Sequence, residues 1–228
     1  MKRALLTVSV PALLLGGVVP AQAASSVSPS TAAAQLSKGF KAPSKATAIA
    51  QTNRLKVAAT GSMKGYGDTA FPHWRDASAW GWPVAPSNAC NARNAALFRD
   101  GRAVKVSKTC AILSGTWTDP YTAKVITSKG SMDVDHQVSR ANAWRSGASK
   151  WTAKRRTQFA NDPLALVSVS SSANRSKGDK GPDLWKPANK ASWCLYAKRY
   201  TAIKTKYALT TTTSEKAALV SMLGTCTA

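Results

Sequence analysis

Acidic side chains are scarce in this chain. Its 228 residues hold ten aspartates and glutamates against 32 lysines and arginines, a formal net charge of +22. Such an imbalance demands a polyanionic partner, whether nucleic acid, wall polymer or anionic surface, and it says nothing about the fold. Histidine is rarer still, with two residues in all. The four cysteines include no C-x2-C pair, which removes the spacing of a four-thiolate zinc site. Long apolar runs are missing apart from one near the start, and no internal repeat is present, so a solenoid or repeat array is excluded.

The one apolar run has the form of an export signal. Lys2 and Arg3 precede a 16-residue stretch from Ala4 to Val19 that is interrupted by Pro11, and Ala21-Gln22-Ala23 closes it. The stretch falls short of the ~20 residues that span a bilayer, and the A-x-A triplet is a cleavage pattern. Residues 1–23 are therefore expected to be a signal peptide, giving a secreted mature chain of 205 residues that begins at Ala24 with no stable membrane association. Losing Lys2 and Arg3 leaves a charge of +20. In an exported chain four cysteines read as two disulfides. Pairing of neighbours, Cys90–Cys110 and Cys194–Cys226, closes the shortest loops.

Residues 24–61 hold no acid and are rich in Ala, Ser, Thr and Lys, with few large apolar residues. They read as a flexible basic tail, with room for a helix between Ala46 and Ala59. The globular domain is expected over residues 62–228. Residues 91–100 read as a helix, and strands are expected on both sides of Cys110 and at Val125-Ile126. Met132, Val134 and Val138 alternate with polar neighbours, so a strand is expected from Asp133, with Asp133 and Asp135 on one face and Val134 and His136 on the other. Thr152 can cap a helix ending near Asn161. Residues 164–169 suit a buried strand, and Ser171 or Ser172 can cap a helical turn that carries Asn174 and Lys177 and stops at Gly178. Two helices complete the chain, one marked by Tyr196, Tyr200, Ile203 and Tyr207, the other by residues 215–223.

Against this background the cluster Asp133-Val134-Asp135-His136 stands out. Two of the ten acids and one of the two histidines occupy four adjacent positions, and Asn174-Arg175-Ser176-Lys177 follows 38 residues after the histidine. A carboxylate beside a histidine can hold a metal while the ring takes a proton, and an amide oxygen can add a second ligand. Those are the parts of a single-metal phosphodiester hydrolase. From residue 150 to 206 there are 13 lysines and arginines against three acids. A charge run is usually a solvated face, but beside this cluster it points to nucleic-acid contact. The tryptophans among those residues read as core, and His73 reads as structural.

The pattern D-V-D-H, a short apolar strand, then N-R-S-K on a helical turn resembles the ββα-metal motif of HNH nucleases, including the HNH domain of RNA-guided CRISPR effectors. The wider chain from about Cys90 to Cys226 is more similar to secreted actinobacterial HNH-family proteins, whose nuclease domain also ends certain modification-dependent restriction enzymes. Carrying the likeness are Ala92-Arg93-Asn94, Asp119-Pro120-Tyr121-Thr122, Asn161-Asp162-Pro163-Leu164, Ser172 to Asp179 and Pro187-Ala188-Asn189-Lys190. The resemblance implies an α+β domain with an HNH ββα-metal core, surrounding helices and two disulfides. His136 would be the general base, with Asp135 and Asn174 as ligands of Mg²⁺ or Mn²⁺. Arg175, Lys177 and Arg93 would hold the phosphate backbone, Arg93 having a structural role as its alternative. Asp133 would either support the ligands or be a solvated strand residue.

One position departs from the pattern. The middle asparagine, which braces the histidine loop, belongs nine residues before Asn174, where this chain has Ala165. Without that amide the histidine loses a source of orientation. The expected function is a monomeric metal-dependent endonuclease acting on DNA with little sequence preference. The alternative is an HNH-fold protein of weakened or lost activity that binds nucleic acid or another polyanion.

Overall fold

The computed structural model describes residues 27–83 and 85–227, so the export signal expected over 1–23 lies outside the described residues. The chain enters through helix α1 (Pro29–Ala33), a 3-10 turn over Ala34–Ser37 and helix α2 (Lys45–Arg54). Helix α3 (Ala92–Asp100) leads into an antiparallel sheet of β1 (Arg102–Val106), β2 (Ile112–Thr118) and β3 (Val125–Ile126), in that order. Strand β4 (Met132–His136), helix α4 (Arg140–Arg145) and helix α5 (Ala153–Asn161) follow. Then come β5 (Leu166–Ser170), α6 (Ser171–Lys177), α7 (Trp193–Tyr207) and α8 (Thr213–Gly224). The architecture is mixed α+β, and the element types after residue 90 agree with the sequence reading, except that α4 was not expected.

β4 and β5 pair antiparallel without interruption from Met132 opposite Ser170 to His136 opposite Leu166. This ribbon is covered on both faces. Met132, Val134 and Leu166 join α3 in one apolar cluster, while Val167 and Val169 join α5, α7 and α8 in another. Burial on both sides explains why β5 reads as a nearly continuous apolar run. α6 begins where β5 ends. The Ser170 side chain, one residue ahead of the expected cap, accepts the Ala173 amide, and Gly178 at φ +55° closes the helix.

The N-terminal segment differs from the expected flexible tail. Ser28 caps α1 and Ser44 caps α2, and Ala32, Leu36, Ala48 and Leu55 are buried. α2 packs on α7 and α8. Ala48 and Ile49 of α2 pack into the main core, and the C-terminal helices supply the surface they cover, which local composition cannot reveal. Cys90–Cys110 ties the start of α3 to the β1–β2 turn, and Cys194–Cys226 joins the start of α7 to the segment that follows α8, the neighbour pairing expected from sequence. Among the described residues no helix is long and apolar enough to cross a membrane.

Candidate active site

The end of β4 and the first turns of α6 border a cavity of about 450 Å³ whose lining includes Asp133, Asp135, His136 and Asn174. Strand alternation sends Asp133 and Asp135 toward α6, where Asn174 and Lys177, three residues apart, share one helical face. Asn174 Nδ2 donates to Asp133 Oδ2 (3.0 Å), and Ser171 Oγ donates to Asp133 Oδ1 (3.0 Å). With its amide nitrogen committed to Asp133, Asn174 keeps its carbonyl oxygen available as an acceptor. Lys177 Nζ donates to Asp135 Oδ1 (2.8 Å) and to the His136 carbonyl (3.0 Å), and Tyr121 Oη donates to Asp135 Oδ2 (2.8 Å). Burial pushes the Asp135 carboxyl up, against the downward pull of Lys177 and of the Tyr121 hydroxyl.

His136 faces the other way and is buried. Its Nε2 lies 2.9 Å from the Ala160 carbonyl at the end of α5. A carbonyl only accepts, so Nε2 carries the proton and Nδ1 keeps its lone pair. The ring stacks on Phe159 at an interplanar angle of 15°. Burial lowers its pKa to about 3, although the Ala160 carbonyl pulls upward, so the imidazole is neutral at pH 7. A neutral ring with a fixed tautomer and an unprotonated nitrogen has the form of a proton acceptor.

Asp133, Asp135 and Asn174 offer only oxygen, the donor chemistry of a hard divalent ion. Asp135 has two bonds on a carboxylate with about four acceptor directions, and Asn174 presents an uncommitted oxygen. These residues fit such an ion. Among the described residues no group of three or more His, Cys, Asp and Glu side chains gathers into a metal site, so the fit rests on the Asn174 oxygen beside the two carboxylates.

Several sequence expectations change here. Lys177, expected at the phosphate, is fully buried and serves Asp135 and the His136 backbone instead. Arg175 is exposed on α6. Arg93 lines the cavity and donates to the Met132 carbonyl (3.3 Å). Asn161 at the end of α5 braces the site only indirectly, because its side chain holds the 72–75 loop through Pro72 and Arg75. Sequence reasoning missed Trp74, Tyr66 and Arg140, which also line the cavity. His73, set aside as structural, has its ring centroid 6.3 Å from that of His136. The only sequence signal was the crowding of Phe71, His73 and Trp74 near the start of the domain.

Residues 89–222 match the family described as GmrSD restriction endonucleases, C-terminal domain. The match spans more than half of the chain, and the protein belongs to that family. An uncharacterized secreted protein of Arthroderma benhamiae is 40% identical over 186 residues, covering 81% of this chain and 87% of the relative. That relative bears out the expectation of a secreted protein. No solved structure matches the chain.

Proposed function

We propose that this protein is a secreted metal-dependent endonuclease of the HNH ββα-metal type that hydrolyses phosphodiester bonds of DNA. The observation that carries the reading is His136. Its Nε2–H is fixed on the Ala160 carbonyl, its Nδ1 is unprotonated, and it shares a cavity with the Asp133–Asn174 pair. Nδ1 would take the proton of the attacking water as its oxygen bonds to phosphorus. Arg93 and Arg140 line the same cavity and would orient the phosphate by charge-assisted hydrogen bonds. Asp135 and Asn174 would hold one Mg²⁺ or Mn²⁺ ion, with Asp133 turning the Asn174 oxygen toward it. When bound, that ion stabilises negative charge on the phosphate and on the departing 3′ oxygen.

Plasmid nicking with Mg²⁺, with and without chelator, tests the reading. His136→Ala should slow cleavage by at least about 10²-fold, the usual range for a lost general base, while DNA retention persists. Undiminished cleavage by that variant rules His136 out. Ala165 favours the second reading, a weakened nuclease that acts mainly as a binder. That reading predicts a salt-sensitive mobility shift by the unaltered protein without metal-dependent nicking.

A further inference from the structure

Trp74 has a backbone conformation that its side chain does not favour. Its φ is +57°, in the left-handed region where a bulky residue is uncommon. A buried clamp maintains it. Asn161, fully buried, donates from Nδ2 to the Pro72 carbonyl (3.0 Å) and accepts the Arg75 amide on Oδ1 (2.8 Å), so it grips the chain on both sides of His73-Trp74. The Arg75 carbonyl in turn accepts the Ala92 amide of α3 (2.8 Å). This bracing sets the half-exposed indole in the cavity, its ring centroid 5.7 Å from that of His136. Trp82 and Trp117 each donate their indole N–H to a buried carbonyl. Among the described residues no such bond is made by Trp74.

An aromatic ring beside the proton acceptor, in a cavity also lined by Arg93 and Arg140, meets the needs of a nucleotide. The arginines suit the phosphate and the indole suits the adjoining base. Base faces inside a duplex are covered by their neighbours, so this stacking requires a base that has left the helix. We propose that Trp74 is a stacking platform for the base beside the scissile phosphate, so that single-stranded or locally unpaired nucleic acid is preferred over intact duplex. The proposal rests on the nuclease reading for the placement of that phosphate.

The test measures binding, not cleavage. Fluorescence anisotropy would follow labelled oligomers in chelator: a single-stranded DNA, the corresponding duplex, and an abasic strand of the same length. Trp74→Gly suits the left-handed backbone and removes the ring while sparing the fold, and Trp74→Phe keeps an aromatic face. Trp74→Gly should weaken single-strand binding by about 5- to 150-fold, the cost of one lost base stack. Trp74→Phe should restore most of it, and binding of duplex and abasic strand should change little. Equal losses on all three oligomers, or no loss on the single strand, would overturn the proposal. Because no bond is cleaved, failure here is separable from failure of His136→Ala in the nicking assay.

Discussion

At position 165 the chain has a methyl group where the HNH resemblance implies an amide, and two arginines hold the backbone carbonyls around it. Arg99 donates to the carbonyls of Pro163 (2.8 Å) and Leu166 (2.7 Å), and Arg199 donates to those of Pro163, Leu164 and Leu166. Burial pushes the Arg199 guanidinium down to about 9, which leaves it charged at neutral pH. The Ala160 carbonyl holds the His136 ring, and Lys177 holds the His136 carbonyl. Lys177 is therefore a positioning residue with a stability signature. Its loss strands Asp135 in the interior, so Lys177→Met should destabilise the fold by about 3–5 kcal/mol, whereas removing both charges of a buried pair is often nearly neutral. The double variant Asp135→Asn/Lys177→Met should recover most of the loss in chemical denaturation. A double variant no more stable than the single one would mean that the pair is not coupled. The residues of this site were legible in sequence as a cluster, but their partners were not. Spacing put Asn174 and Lys177 on one face of α6, yet nothing in N-R-S-K shows that Asp135 and a backbone carbonyl, not phosphate, receive the ammonium.

Among the elements, the β4–β5–α6 unit was the most legible. Alternation in Met132, Val134 and Val138, the apolar run before Ser170 and the stop at Gly178 are local signals, and each element lies within a residue or two of its expected place. The entry helices were the least legible, because their stability comes from contacts across more than a hundred residues of sequence. Thr52, for example, hydrogen-bonds to Thr201 inside the interface of α2 with α7 (2.9 Å). The family match begins only at residue 89, but the likeness to the A. benhamiae protein is longer than that match and reaches back before it. Leu36 gives the test, since it is fully buried in the main core. Leu36→Ala should cost about 2–5 kcal/mol, the range for deleting a core leucine, and lower Tm by several degrees. A shift within about 0.5 kcal/mol, typical of surface positions, would return residues 27–61 to the status of a detachable tail.

Over the whole molecule, the charge sum was evident in the sequence but its partition was not. Five of the ten acids, Asp100, Asp119, Asp135, Asp162 and Glu215, are buried. Asp100 takes two bonds from Arg99 and one from the Ser168 amide, while Asp119 anchors Tyr121, Thr122 and Ser170. Glu215 gathers Lys204, Tyr200 and Thr211. Lys177, Arg199 and Lys204 are buried as well, so the basic run from 150 to 206 spends part of its charge on the interior. More acids than bases are withdrawn among these groups, so the outer surface is at least as one-sidedly positive as the composition states. Such a surface would bind DNA by displacing condensed counterions, and each phosphate neutralised adds about −0.9 to the slope of log K against log salt on B-DNA. A footprint of five phosphates would then give a slope of about −4.5 and roughly a 500-fold loss of affinity between 50 and 200 mM salt. Titration of random duplex with the His136→Ala protein in chelator isolates this term from cleavage. Arg175→Ala, which removes an exposed charge on α6, should make the slope shallower by about one phosphate. A slope near zero in the parent protein would show that the positive surface serves something other than a nucleic-acid backbone. An unchanged slope in the variant would place the footprint away from α6 and leave the candidate active site without an electrostatic approach from that side.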